Sequence, residues 1–275
     1  MIYSKPASLR HLGRRLSTMS SSRRKRFYKD VNVISTSIHD PVVSGQQLLF
    51  EICVDGRKVK TPSQNDLRVR HETLANMIAA EWDAQSQYVD MTSMHLTALA
   101  FTAIDNPQQK TKQDLISEIL KFLEGDTLLY LTQEDATLAA NQRAHWLPLL
   151  DWVNQRYSLD IRPTTSLAPP VISRKSLDAL TRYLQTYPQT ALFGYRYAVD
   201  SLKSLIVAIG VVEHNIDAEL AVKLASLEQS VQIDAWGRIE GAHDVDFNET
   251  LSRLAAGVLF AQLNSAPGRL FVQKE

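Results

Sequence analysis

One cysteine, Cys53, is all that this chain of 275 residues contains. A single cysteine cannot close an intramolecular disulfide, so the sequence shows no trace of an oxidising compartment. Because Cys53 lies in an alternating, strand-like pattern, a small buried hydrophobic residue is a better interpretation of it than a catalytic thiol.

Long apolar runs are also missing. The longest, residues 205–212, is much shorter than the roughly 20 residues that a membrane-spanning helix needs, so we expect no stable insertion into a membrane. The sequence has no glycine-rich phosphate-binding loop, no G-x-S-x-G nucleophile elbow and no G-x-G-x-x-G fingerprint. The most recognisable signatures of nucleotide-binding enzymes and serine hydrolases are therefore absent.

Acidic residues are missing from residues 1–29, which carry nine lysines and arginines. The rest of the chain has 21 basic and 30 acidic residues, a net charge of −9, which argues against nucleic acid as the main partner. Residues 1–25 are rich in arginine and serine and place Leu9, Leu12 and Leu16 on one helical face. That composition is typical of a mitochondrial transit peptide, and a basic disordered or nucleic-acid-binding arm is the alternative.

Strand-like alternation is confined to the N-terminal third of the chain. Residues 27–33 and 48–54 show it, and residues 67–69 could add a short strand. Asp55 and Gly56 follow the second run directly. Asp-Gly between two strands predicts a tight hairpin, because both turn positions favour a positive φ. The pattern therefore predicts a meander of three or four antiparallel strands.

Helical spacing takes over after residue 71. The first apolar stripe contains Leu74, Ile78 and Trp82, and a tryptophan at such a position is usually a core anchor. Beyond Pro107 we find no convincing strand. The further segments with a helical pattern are residues 94–103, 112–123, 136–157, 177–187, 198–212, 217–235 and 247–263.

These patterns predict an α+β protein. We expect a small α+β domain with an antiparallel β-meander over residues 27–108 and an all-helical domain over residues 109–265. Residues 266–275 are predicted to form a polar tail, and residues 1–25 a transit peptide.

The richest cluster of chemically active side chains follows the pair Trp236 and Gly237. Glycine costs about 1 kcal/mol relative to alanine inside a helix, so Gly237 is a candidate break or close-packing point. If the helix resumes after it, Glu240, His243 and Asp244 share one face. A carboxylate and an imidazole at that spacing are compatible with a metal site, an acid–base pair, a docking surface or a structural network.

A metal-dependent hydrolase in the mitochondrial matrix is the enzymatic alternative for Glu240, His243 and Asp244. Glu-x-x-His is half of the di-iron bundle motif, but the sequence has no second copy. The other histidines show no ligand spacing either. The residues therefore give an enzyme little support, and we assign no metal ligands.

Seven ordered motifs together resemble one family. They are RFYK at residues 26–29, VDGRKVKTP at 54–62, AAEWDAQ at 79–85, residues 96–97 with 102–105, GDTL at 125–128, Gln142 with WLPL at 146–149, and WGxxExxHD at 236–244. In this order and spacing, over about residues 26–260, the chain is similar to the mitochondrial ATP synthase assembly chaperones that bind the free alpha subunit of the F1 sector. The EWDAQ and WGxxExxHD motifs are the most distinctive.

The resemblance implies a non-enzymatic chaperone of the mitochondrial matrix that needs no cofactor. Such a chaperone holds the unassembled alpha subunit until the beta subunit joins it. The resemblance also implies that Glu240 is a functional carboxylate at the partner surface, which Trp236, His243 and Asp244 shape. The residues expected to fix structure instead are Trp82, as an anchor between the two domains, Gly237, Asp55 and Gly56.

Overall fold

A computed structural model of the chain describes residues 24–40, 45–237 and 242–265. Its architecture is the predicted α+β class, with antiparallel strands and two helices followed by a helical C-terminal region. The strands are β1 Arg24–Lys25, β2 Val31–Asp40, β3 Gly45–Val54, β4 Arg57–Lys58, β5 Arg68–Val69 and β6 Tyr88–Val89. Strand β3 pairs antiparallel with β2, β4 and β5, and β1 pairs with β6.

The predicted Asp-Gly hairpin is present between β3 and β4. Asp55 and Gly56 have φ angles of 46° and 74°, as a tight turn between twisted strands requires. The Asp55 carboxylate also accepts hydrogen bonds from the backbone amides of Lys29 and Asp30, each at 2.9 Å. These amide donors lower the pKa of Asp55 from its ordinary value. The turn residue thereby joins the hairpin to the segment that precedes β2.

The first long strand lies further along the chain than its alternation predicts. The prediction was a strand over residues 27–33, but β2 begins at Val31 and continues to Asp40, and β3 begins at Gly45 instead of residue 48. Exposed serines occupy this part of β2, because a strand with a solvent-facing side is held by its ladder hydrogen bonds and needs no strict apolar alternation. The two-residue strands β1 and β6 carry no sequence signal at all.

The helices account for most of the described chain. They are α1 Glu72–Asp83, α2 His95–Asp105, α3 Lys112–Lys121, α4 Ala136–Tyr157, α5 Arg174–Gln185, α6 Gln189–Leu202, α7 Leu205–Val212, α8 Ala218–Ala225, α9 Leu227–Trp236 and α10 Ala242–Leu263, with 3-10 helices at Phe122–Gly125 and Thr127–Leu129. In the part of the chain that the structure describes, none of them combines the length and the apolar character needed to cross a bilayer.

Two of the predicted helices are each divided in the structure. Residues 198–212 fall in α6 and α7, which are separated by Lys203 with a φ of 54° and by Ser204, whose hydroxyl caps the first turn of α7. Residues 217–235 fall in α8 and α9, which meet at Ser226. Apolar spacing continues across both breaks, so periodicity alone does not reveal them.

The core consists of two buried apolar clusters. The smaller contains Trp82 and packs the four-stranded sheet against α1 and α2, and the larger lies among α3 to α8. Helix α10 joins them, because Ala256 and Phe260 belong to the smaller cluster and Leu254 and Val258 to the larger. The domain boundary near residue 108 therefore stays a prediction. Helix α10, from the far end of the chain, completes the apolar cluster that contains the predicted anchor Trp82.

Helices α6 and α10 approach each other closely at two glycines. A Cβ on Gly194 would lie 2.7 Å from the backbone nitrogen of Ala261 and 2.7 Å from the backbone oxygen of Gly257. A Cβ on Gly257 would lie 2.8 Å from the backbone nitrogen of Ala198. The two backbones are therefore in direct contact, and only small residues are compatible with this crossing.

The EWDAQ motif connects helix α1 to the start of helix α2. Helix α2 has Met94 at its N-cap, which provides no side-chain acceptor. The carboxylate of Glu81 takes that place from the neighbouring helix α1. It accepts hydrogen bonds from the amide of Leu96 at 2.7 Å and from the amide and hydroxyl of Thr97 at 2.8 and 2.7 Å. These bonds satisfy backbone donors that a helix start leaves without an intrahelical partner.

Arg26 connects the beginning of the described chain to the end of α1. Its guanidinium donates hydrogen bonds to four backbone carbonyl oxygens and forms an ion pair with Asp83 at 3.2 Å. The hydroxyl of Tyr28 donates to the carbonyl oxygen of Trp82 at 2.7 Å. Together with the β1–β6 pairing, these contacts make residues 24–28 an integral part of the fold.

We expect Glu81→Gln to lower the free energy of unfolding by about 2 kcal/mol, because an amide cannot accept all the hydrogen bonds that the carboxylate accepts. Urea denaturation of the purified variant measures the change. The matched control is Glu72→Gln, an exposed residue in the first turn of α1, for which we expect at most about 1 kcal/mol. Equal losses in the two variants would contradict the capping role of Glu81.

Candidate functional site

The predicted partner-binding residues lie where α9 ends and α10 begins. Trp236 is the last residue of α9, and His243 and Asp244 lie in the first turn of α10. Glu240 is outside the described residues, as are the side chains of Trp236 and His243. The expectation that Glu240 shares a helical face with His243 and Asp244 therefore stays a prediction.

Gly237 ends helix α9, and its φ is 95°. A Cβ at this position would meet no described atom within 4 Å. Of the two roles that the sequence suggests for this glycine, a helix break and a close-packing point, the structure shows the break. Glycine suits the position because other residues rarely adopt so positive a φ.

A cleft of about 720 Å³ opens beside these residues. The C-terminal end of α6, helices α8 and α9, and the first turns of α10 form its walls. Leu202 and Val222 give it a buried apolar floor, and the half-buried Phe247 extends this apolar surface along α10. The exposed carboxylates of Asp244 and Asp246 lie at its α10 side.

The charges around the cleft make its α10 side acidic. Lys203 pairs with Asp200 and Lys223 pairs with Glu219, each at 2.7 Å and each close along the sequence. The cations of the α6 and α8 walls are therefore already near carboxylates. The acids of α10 stand at a helix N-terminus, where negative charge is favoured. A partner in this cleft would meet apolar side chains at its floor and carboxylates at its α10 rim.

A buried carboxylate supports the base of the cleft. Asp126, which precedes the cleft residue Thr127, is completely buried and accepts hydrogen bonds from the hydroxyl of Ser204 at 2.6 Å and from the amides of Ile206 and Leu128 at 3.1 Å. The bond to Leu128 is a local N-cap of the type that aspartate commonly forms, whereas the bonds to the start of α7 have no sequence signal. Burial raises the pKa of Asp126 to about 6, an effect that outweighs the lowering by its hydrogen-bond donors.

The structure gives the metal hypothesis no independent support. No group of three His, Cys, Asp or Glu side chains within residues 24–40, 45–237 and 242–265 has the geometry to hold a metal ion. The side chains of Glu240 and His243 lie outside that search, so their participation in a metal site is neither found nor tested. The chemistry that the described residues do offer is a mixed apolar and acidic surface.

The sequence does not reveal most of this cleft. Residues of α6 and α8 lie far from the WGxxExxHD motif along the chain, and nothing in their own patterns associates them with it. One local signal exists. Asp244, Asp246 and Phe247 are cleft residues that directly follow the motif or belong to it, so this part of the lining is adjacent to it along the chain.

Comparison with known proteins gives consistent results. The family model described as ATP12 chaperone protein matches residues 25–154. The mitochondrial protein atp12 of Schizosaccharomyces pombe is 28% identical over 222 residues, which covers 77% of this chain and 76% of that protein. Among solved structures, the Atu1473 protein of Agrobacterium tumefaciens matches with a TM-score of 0.77 and 27% identity, covering 86% of this chain and 85% of that one. Atp12 from Paracoccus denitrificans matches with a TM-score of 0.73 and 25% identity, covering 88% and 98%.

Proposed function

We propose that this chain is an ATP synthase assembly chaperone like the ATP12 proteins it matches, and that it holds the unassembled alpha subunit of the F1 sector of mitochondrial ATP synthase. In this proposal the chaperone prevents aggregation of the alpha subunit until the beta subunit joins it. It acts as a binding protein, without catalysis and without a cofactor. The motifs of the sequence support the alpha subunit as the client, and the family supports ATP synthase assembly as the process.

The observation that carries the proposal is the cleft between α6, α8, α9 and α10. It combines a buried apolar floor with an acidic rim, and the segment with the predicted residues Trp236, Glu240, His243 and Asp244 begins and ends at its walls. A chaperone that must later release its client benefits from such a surface. Apolar contacts provide affinity, whereas charged rim groups adjust association and discrimination, because buried area alone does not set affinity.

We propose the mitochondrial matrix as the location. The S. pombe relative is named as a mitochondrial protein, and residues 1–25 have the composition of a transit peptide. The contacts of Arg26 and the pairing of β1 with β6 add one refinement to this proposal. The segment removed on import should end before Arg24, because a cut after residue 25 would delete β1 and leave Arg26 at a new chain end.

The client-binding role of the cleft can be tested with Asp244→Lys. We expect the variant to bind the alpha subunit about fivefold more weakly, which corresponds to about 1 kcal/mol for one reversed rim charge. The measurement is suppression of light scattering by purified F1 alpha subunit at several chaperone concentrations, with a chaperone that begins at Arg24. The matched control is Glu249→Lys, an exposed acid on the same helix that does not line the cleft.

Two results would contradict the proposal. A well-folded wild-type protein that leaves the aggregation of the alpha subunit unchanged would rule out this client. Equal losses in Asp244→Lys and Glu249→Lys would assign the effect to net charge and not to the cleft. The free energy of unfolding of both variants, measured by thermal unfolding, should remain within about 1 kcal/mol of the wild-type value, since both positions are exposed.

A further inference from the structure

Helix α9 forms one wall of the cleft, yet it has no buried apolar anchor in its described part. The side chains from Leu227 to Ile233 are all half-buried or exposed. A helix in a globular protein is normally held by a stripe of buried apolar side chains, since its own propensity is too weak to fix it. Among these side chains, the half-buried Leu227 packs against the larger apolar cluster, so polar contacts with the neighbouring helices contribute to the position of this part of α9.

One of those contacts is a partly buried polar bond at the first turn of α9. Gln142 of helix α4 is completely buried, and its side-chain amide donates a hydrogen bond to the carboxylate of Glu228 at 3.0 Å. Its carbonyl oxygen accepts a hydrogen bond from the amide of Thr132 at 2.8 Å, which fixes the orientation of the side chain. Gln142 thus contacts the segment before α4 and the start of α9 at the same time.

A second bond, which is buried, lies one turn further along α4. Trp146 is completely buried and donates its indole N–H to the carbonyl oxygen of Leu224 at 2.9 Å, in the last turn of α8. The junction of α8 and α9 is therefore held against α4 from both sides. The two donors, Gln142 and Trp146, belong to the motif formed by Gln142 and WLPL at residues 146–149. The proposed function assigns this motif no role.

The bond between Gln142 and Glu228 limits how far the C-terminal end of α9 can move. Trp236 lies eight residues after Glu228, so the two are about 12 Å apart along the helix axis. A tilt of about 10° at the first turn would displace the last turn by about 2 Å. A hydrogen bond from a buried amide to a half-buried carboxylate is directional and charge-assisted, so it limits such a tilt.

We propose that Gln142 is a positioning residue for client binding. It orients α9 through Glu228 and thereby sets the width of the cleft, because Gln229, Ser230 and Ile233 of α9 line it. This inference rests on the proposed function, because it takes the cleft as the client-binding surface. Gln142 itself is completely buried, so it acts through α9 and not by touching the client.

Gln142→Met tests the proposal, because methionine has a similar length but cannot form either bond. We expect binding of the alpha subunit to weaken about tenfold, the equivalent of one charge-assisted hydrogen bond. Amide hydrogen exchange should also accelerate in α9, a readout that needs no client. The matched control is Gln85→Met, since Gln85 is another buried glutamine whose side chain bonds to Glu81 and Asp90 far from the cleft. It should lose comparable stability and retain client binding.

The double variant Gln142→Glu with Glu228→Gln separates positioning from simple stability. It exchanges donor and acceptor, so the bond between α4 and α9 can form again. We expect it to restore slow exchange in α9 and most of the client binding, even though a buried charge at position 142 lowers the stability of the fold.

The outcomes distinguish the two proposals. If the wild-type protein does not retain the alpha subunit, the proposed function is wrong. If the wild type retains it and Gln142→Met binds equally well, the positioning role is wrong. If Gln142→Met does not fold, Glu228→Ala makes the same test. It removes the same hydrogen bond, and Glu228 is only half-buried, so its replacement disturbs the core less. Undisturbed client binding in that variant would overturn the inference.

Discussion

Gly194→Ala is expected to destabilise the protein by about 3 kcal/mol, although alanine normally stabilises a helix by about 1 kcal/mol relative to glycine. The sign reverses because the new methyl group would lie 2.7 Å from backbone atoms of both Gly257 and Ala261. Backbone atoms cannot move aside as a flexible side chain can, so α6 and α10 must separate. Since α10 packs against both apolar clusters, the separation would loosen the N-terminal and the helical parts together.

Urea denaturation of Gly194→Ala measures this loss, and thermal unfolding should show a midpoint about 6–12 °C below wild type. Gly125→Ala is the matched control, because a Cβ at Gly125 would meet no described atom within 4 Å. We expect the control to stay within about 0.5 kcal/mol of wild type. A Gly194→Ala variant as stable as the control would show that the two helices are not packed backbone to backbone.

Asp126→Ala is expected to lower the free energy of unfolding by about 3–5 kcal/mol. The change removes an acceptor from three donors, the hydroxyl of Ser204 and the amides of Leu128 and Ile206, in a completely buried environment. Chemical denaturation at pH 7.5 measures the loss. Asp217→Ala is the control, since Asp217 caps α8 at the surface and its loss should cost about 1 kcal/mol.

The same residue predicts a pH dependence. The pKa of Asp126 is about 6 in the folded protein and about 3.8 in an unfolded chain, so the folded state binds the proton more tightly. The resulting stability is complete below pH about 4 and is lost as the pH rises through about 6. The difference in unfolding free energy between wild type and Asp126→Ala should therefore be about 2 kcal/mol larger at pH 4.5 than at pH 7.5. A difference that is equal at both values would contradict the raised pKa.

Several motifs that carry the family resemblance form hydrogen bonds or ion pairs between different elements of the fold. Arg26 bonds to the end of α1, Glu81 caps α2, Asp126 holds the start of α7, and Gln142 holds the start of α9. A motif of this kind identifies a family because it specifies the fold, and the fold in turn builds the cleft. The motif that is proposed to meet the client is the last one, at the junction of α9 and α10.

Much of the local structure could be predicted from the sequence, because it depends on near neighbours. The Asp55-Gly56 hairpin follows from the φ angles that those two residues favour, and α4 covers the predicted residues 136–157 because its apolar spacing and its cap lie within one segment. The breaks at Lys203 and Ser226 and the true start of β2 were not predictable in this way. Each depends on packing against elements elsewhere in the chain.

The sequence by itself determined the kinds of elements, the α+β class and, through its ordered motifs, the resemblance to ATP synthase assembly chaperones. Only the tertiary structure decided which surfaces meet: the crossing of Gly194 with Gly257, the cap that Glu81 gives to α2, and the bond between Gln142 and Glu228. The physical reason is distance along the chain. The contacting residues are 15 positions apart for Glu81 and Leu96, 63 for the two glycines and 86 for Gln142 and Glu228. Their proximity results from the packing of the whole core and not from any local pattern.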